Sequence, residues 1–147
     1  MLPVLTTNQK GAIAEARIAA TALELGVGVA KPLHDEPYDL LLDLRPQLLR
    51  VQCKWAVHEA GVVRLRTCRW RRGRTGMIGA PYTEHEINAY AAYCPEVEEC
   101  LLLPRAEFSE RRAIQLRVSP PGNGQLAGVR WARDYAFAAT ILRLRGP

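Results

Sequence analysis

Pro37-Tyr38-Asp39-Leu40-Leu41-Leu42-Asp43-Leu44-Arg45-Pro46-Gln47-Leu48-Leu49-Arg50-Val51-Gln52-Cys53-Lys54-Trp55-Ala56 reads as two strands and the turn between them. Tyr38 to Leu44 is nearly continuously apolar, as expected of a strand covered on both faces. Leu48 to Ala56 follows a turn at Arg45-Pro46-Gln47. Strand side chains alternate between faces, so Gln52 and Lys54 share one face and Cys53 takes the other. Asp39 stands thirteen positions before Gln52. Opposed residues of an antiparallel pair share a face, so pairing Asp39 with Gln52 or Lys54 brings the three together, and a bulge-free pairing with Cys53 separates them. An acid, an amide oxygen and an ammonium in that arrangement form an oxygen site for a hard divalent cation with a positive charge beside it, the layout of a metal-assisted phosphodiester cutter.

Residues from about 8 to 25 read as a helix with Asn8 as cap, an apolar stripe at Ile13, Ala16, Ala20 and Leu23, and Gly26 as its stop. Glu15 lies on that helix, five residues after Lys10, and can add a second carboxylate from outside the sheet. Lys10 is expected to contact phosphate near the helix start. Val27 to Pro32 is a strand, Leu33 to Pro37 a loop, and Val62 to Thr67 a strand that alternates from Val63 onward. Tyr82 to Ile87 reads as a short helix. Ala89 to Tyr93 and Cys100 to Leu103 flank a turn at Pro95-Glu96-Val97-Glu98. Ala106 to Phe108 starts a turn or helix, Ala113 to Val118 is another strand, and Ser119 to Gly124 is a loop. In the tail, Trp131, Tyr135 and Phe137 are spaced for a helix that packs back on the domain, with strand character near the end.

Lys10-Gly11-x-x-x-Glu15, Pro37-Tyr38-Asp39 and Gln52-x-Lys54 resemble the PD-(D/E)xK nuclease superfamily, and within it the branch of small endonucleases that includes a group I intron homing enzyme. That branch tolerates glutamine where most relatives carry glutamate. Tyr82, Glu86 to Glu96 and Leu101-Leu102-Leu103-Pro104 look like the run that follows the active site, with Asn88 where that run commonly has aspartate. The likeness spans roughly residues 8 to 108. It implies an α/β fold with a restriction-endonuclease-like core, a central mixed β-sheet flanked by helices, in one domain over 1–147. It also implies an endonuclease that uses Mg2+, with Mn2+ as substitute, and leaves a 3′-hydroxyl and a 5′-phosphate. Asp39, Glu15, Gln52 and the Cys53 backbone carbonyl would then hold the metal, and Lys54 would position the attacking water or stabilise charge on the phosphate.

The chain has 147 residues and a net charge of +5. That length suffices for a core without disulfides or a structural metal, and its apolar runs are too short to span a bilayer. Without a signal-peptide pattern it is expected in the cytoplasm. Cys53, Cys68, Cys94 and Cys100 lack metal-binding spacing and read as free thiols, and His34, His58 and His85 match no catalytic pattern. Tyr82, Tyr90 and Tyr93 read as core or interface aromatics. Arginine supplies 17 of the 20 basic residues. Arg64, Arg66, Arg69, Arg71, Arg72 and Arg74, with Trp70 among them, form a basic arm over about 64–76. Guanidinium forks bind phosphate bidentately, and an aromatic between them can stack or wedge, which makes the arm a contact for double-stranded DNA. A homing or restriction role would need a homodimer or higher symmetric homo-oligomer to read a long site. A repair role would instead recognise a mismatch or distorted duplex. The alternative reading is an inactive nuclease fold that binds DNA, or an RNA-binding protein.

Overall fold

The computed structural model describes residues 2–109 and 111–146, without the side chains of Trp70 and Arg71. The first helix, α1 (Thr7–Glu24), opens on a capping box. The Gln9 N–H donates to Thr6 Oγ1 at 3.1 Å and the Thr6 N–H to Gln9 Oε1 at 2.8 Å. Thr6 therefore caps the helix rather than Asn8, because the threonine has a glutamine three residues on to close the box, and Asn8 has Gly11 there. The helix ends in a left-handed residue at Gly26, whose N–H donates to the Leu23 carbonyl at 3.0 Å, while the Val27 N–H reaches back to Ala22 at 2.9 Å. That is the double hydrogen bond of a glycine-terminated helix. The buried stripe is Ala14, Ile18 and Ala22. Ala16, Ala20 and Leu23, expected in the core, face solvent. In so alanine-rich a helix several faces share the apolar period, and Ile18 carries most of the apolar volume that selects among them.

Five strands form the main sheet in the order β1 (Gly28–Ala30), β2 (Leu40–Asp43), β3 (Leu48–Trp55), β8 (Ala89–Cys94) and β9 (Glu99–Pro104). The β3–β8 pair is parallel and the others antiparallel, so the sheet is mixed. On one face Leu40, Leu42, Leu49, Val51, Ala89, Ala91 and Leu102 pack against α1 and against Phe137 and Ile141 of the last helix, α2 (Phe137–Arg145). The other face, with Tyr90, Ala92, Leu101 and Leu103, packs against a three-stranded sheet of β4 (Val57–Glu59), β5 (Val62–Arg66) and β10 (Ala113–Arg117), together with Phe108 and Tyr135. All six residues of β8 are buried, because it is covered on both sides.

Three segments differ from expectation. Tyr82 to Ile87 forms turns rather than a helix. The Arg50 guanidinium takes the carbonyls of Glu84 (3.0 Å) and His85, which would otherwise accept the next helical N–H groups. Of the arginine-rich arm expected over about 64–76, Arg64 and Arg66 lie on β5 of the second sheet, and the rest belongs to a two-stranded hairpin of β6 (Cys68–Gly73) and β7 (Gly76–Pro81), whose first strand Glu86 ties to the body through Arg69. The tail carries a 3-10 turn at Ala132–Tyr135 and then α2, which packs back on the domain through Phe137 and Ile141 as expected and stays helical at the end, where strand character was the alternative. Cys53, Cys68, Cys94 and Cys100 are free thiols. Among the described residues no helix is long and apolar enough to cross a membrane.

Candidate active site

Leu40 pairs with Val51, Leu41 with Arg50 and Leu42 with Leu49. Carried one step further, that register faces Asp39 towards Gln52. The strand parts there, however. The Asp39 N–H donates to the Val51 carbonyl at 2.8 Å although Leu40 is already Val51's partner, so two residues meet one in the manner of a bulge. Beyond this point β2 no longer covers the edge of β3, and the Asp39 side chain replaces it: Oδ2 accepts the Cys53 N–H at 2.9 Å. In a strand the N–H and C=O of one residue leave the same edge. The Cys53 carbonyl therefore also projects towards the gap that Asp39 lines.

Burial pushes the Asp39 carboxyl above its ordinary range; the Cys53 N–H counters this, Glu15 adds to the rise, and Lys54 and Lys31 oppose it. Those influences place Glu15, from α1, and Lys54, from β3, in one electrostatic neighbourhood with Asp39. The half-buried Gln52 shares the Lys54 face of β3. Lys54 is lowered by burial, with Asp39 opposing, and its ammonium lies 5.4 Å from the centre of the Tyr82 ring. Burial and the nearby Asp39 raise the Tyr82 phenol to about 12. Burial pushes the Cys53 thiol up further still, with Asp39 and Glu15 adding to it, which leaves the sulfur protonated and inert. Glu15 is ion-paired with Lys31. A pocket of about 270 Å³, lined by Glu15, Lys31, Tyr38 and Asp39 among others, opens beside the two carboxylates. Among the described residues no group of three or more His, Cys, Asp or Glu side chains is arranged to hold a metal ion. Of the sequence-derived candidates, the oxygen donors in this region are the Asp39 and Glu15 carboxylates, the Gln52 amide and the Cys53 carbonyl, and Asp35 and Glu36 line the same pocket.

The remaining sequence-derived candidates lie around this centre. Lys10 sits over Trp55 at the end of β3, 5.8 Å from the ring centre. Arg64 and Arg66 are exposed and line a groove with Lys54, Trp55 and Val57. Arg69 is held by Glu86, whose other oxygen accepts the Thr83 N–H at 2.9 Å. Arg72 and Arg74 are exposed on the hairpin, and the Trp70 and Arg71 side chains lie outside the described residues. Asn88 is a staple: its Oδ1 accepts the Arg50 N–H at 2.8 Å, and its own N–H donates to the Arg50 carbonyl at 2.8 Å. Two residues of the site, Lys31 and Tyr82, carry no sequence signal of that role. Lys31 follows an edge strand with no motif to mark it, and Tyr82 is as buried as a core aromatic.

No curated protein matches the chain. Among solved structures it is similar to a bacterial homing endonuclease, I-Ssp6803I, with 28% identity over 93% of each chain and a TM-score of 0.75. The sequence profile of the PD-(D/E)XK endonucleases matches residues 5–138. That match takes in α1, the β2–β3 hairpin, the basic hairpin and the strands behind them, and the chain belongs to the PD-(D/E)XK endonuclease family.

Proposed function

We propose that this nuclease is a metal-dependent DNA endonuclease that hydrolyses phosphodiester bonds with Mg2+, for which Mn2+ can substitute. The observation that carries the reading is the gathering of Asp39, Glu15 and Lys54 where β2 parts from β3, beside a pocket walled by both carboxylates. The donor set fits a hard cation, since carboxylate, amide and carbonyl oxygens are the ligands Mg2+ takes, and the pocket has room for the waters it keeps. Asp39, Glu15, Gln52 and the Cys53 carbonyl would hold it. Bound there, the cation would supply an activated water and neutralise charge on the phosphate. Asp39 also serves the fold, because its bond to the Cys53 N–H fixes the edge that β2 leaves open. Lys54, lodged against the Tyr82 ring, offers its ammonium to charge that grows on the phosphate. Gln52 contributes no charge, so the site has one anion fewer than a glutamate version would.

The basic surface supports a duplex substrate. Arg64 and Arg66 extend from Lys54 along one groove, and Arg72 and Arg74 project from the hairpin. The likeness to a homing endonuclease favours cleavage of a long site by a symmetric homo-oligomer over repair of distorted DNA. A second reading, DNA binding without cleavage, draws on Gln52 and on the Glu15–Lys31 pair, which lower the site's net negative charge.

Plasmid incubated with the purified protein separates the two. Cleavage should appear with Mg2+, vanish with EDTA and fall by a factor on the order of 100 or more in Lys54→Ala, while that variant still binds duplex. Cutting in EDTA, or at the wild-type rate in Lys54→Ala, would defeat the assignment. Binding without cutting under all conditions would establish the second reading.

A further inference from the structure

Lys31 is the first residue beyond β1. With Ala12, Glu15, Val29 and Leu40 it lines the opening between α1 and the sheet edge. From there its ammonium meets the Glu15 carboxylate across the opening between α1 and the edge strand. The partners are unequally exposed: 68% of the Lys31 side chain is accessible and 26% of Glu15. Glu15 is seated in the mouth of the site, and Lys31 is a flexible arm lying over it from solvent. Two carboxylates, Asp39 and Glu15, thus share two ammonium groups. Lys54 is fixed by its strand and by the Tyr82 ring. Lys31 is tethered only by its four-carbon stem.

We propose that Lys31 is an exchangeable counter-ion of the site, one that neutralises Glu15 in the free protein and moves to a DNA phosphate when a divalent cation takes that carboxylate. The proposal rests on the metal-dependent DNA endonuclease reading above. A dication brought to Glu15 replaces the attraction that holds the ammonium with repulsion. The freed charge then sits at the rim of the site, where the entering phosphodiester is the anion at hand. With Lys31 lying mostly in solvent, breaking the pair costs little and the exchange needs no rearrangement of the fold.

Duplex binding by wild type, Glu15→Gln, Lys31→Met and the double variant, measured against salt in EDTA and in Ca2+, tests this, together with Ca2+ calorimetry without DNA. In EDTA, Glu15→Gln releases Lys31, so log affinity should fall with log salt more steeply by about one unit, and the double variant should lose that gain. Lys31→Met alone should leave the EDTA slope unchanged and flatten the Ca2+ slope by about one unit. Without DNA it should bind Ca2+ roughly two- to fivefold more tightly than wild type, as loss of an exposed pair predicts. A Glu15→Gln gain that survives in the double variant overturns the proposal, as does Ca2+ affinity equal to wild type in Lys31→Met. A wild-type protein that binds no duplex in either buffer defeats the nuclease reading and the phosphate half of this proposal with it. The calcium titration then still decides whether Lys31 competes for Glu15.

Discussion

Burial raises the Asp39 carboxyl above the ordinary carboxylate range; the Cys53 N–H pulls it down, Glu15 pushes it up, and Lys54 and Lys31 pull it down. The folded state therefore holds the Asp39 proton more tightly than the unfolded chain does. The linked stability is full below the unfolded carboxylate pKa and is lost as pH rises through the folded value. At neutral pH the ion is a cost kept for its chemistry. Asp39→Asn retains an oxygen for the Cys53 N–H and discards the charge, so it should abolish cleavage and raise Tm at pH 7 by roughly 1–3 °C, the size kept small by partial exposure. The gain should shrink at a pH low enough to protonate Asp39. A thermal melt in which Asp39→Asn unfolds below wild type at pH 7 would contradict this account.

At the scale of elements, the β6–β7 hairpin carries most of the basic arm, and its arginines are not equivalent. Arg69 is engaged with Glu86, which also holds the Thr83 N–H and so joins the hairpin base to the turn carrying Tyr82. Arg72 and Arg74 project without such a tie among the described residues. Replacing Arg72 and Arg74 with alanine should flatten the salt slope of DNA binding by about two units, one per phosphate contact. Arg69→Ala should change the slope less, because Glu86 already balances that charge. Fluorescence binding curves in which the Arg72/Arg74 double variant overlays wild type at every salt concentration would return the hairpin to a solvated basic ribbon. The arginine run was legible as a cationic arm, yet its hairpin geometry was not, because Arg-Trp-Arg-Arg-Gly-Arg lacks the alternation that marks a half-buried strand.

Across the whole molecule, helices cover one face of the five-stranded sheet and a second sheet covers the other, and the site opens where β2 leaves β3. Among the described residues, one chain offers a single such opening and a single basic hairpin. Reading a long duplex site at both strands calls for a second copy related by symmetry. Sedimentation equilibrium should therefore show a dimer or larger homo-oligomer, and products selected from random duplex should carry a preferred, two-fold symmetric sequence. Monomeric protein that cuts only mispaired duplex would move the chain to a repair role.

The fold class was implied by the likeness of Lys10 to Glu15, Pro37 to Asp39 and Gln52 to Lys54 to a nuclease family, and the order of the main parts was legible from local pattern. Period-two alternation fixes which face of β3 holds Gln52 and Lys54, Gly26 stops α1, and the apolar runs around Pro95 mark the β8–β9 hairpin. These are local properties, set by side-chain direction and backbone sterics within a few residues. Four things were decided only by tertiary structure. The α1 face was chosen by the packing of Ile18, flanked by Ala14 and Ala22, against the sheet. The turn at 82–87 was set by Arg50, more than thirty residues earlier in the chain. Lys31 reached Glu15 only because β1 joined the sheet edge beside α1. Tyr82 became a support for Lys54 only because the β6–β7 hairpin returns the chain to the site. Each depends on a contact between distant segments, and such contacts leave no period or spacing in the sequence to read.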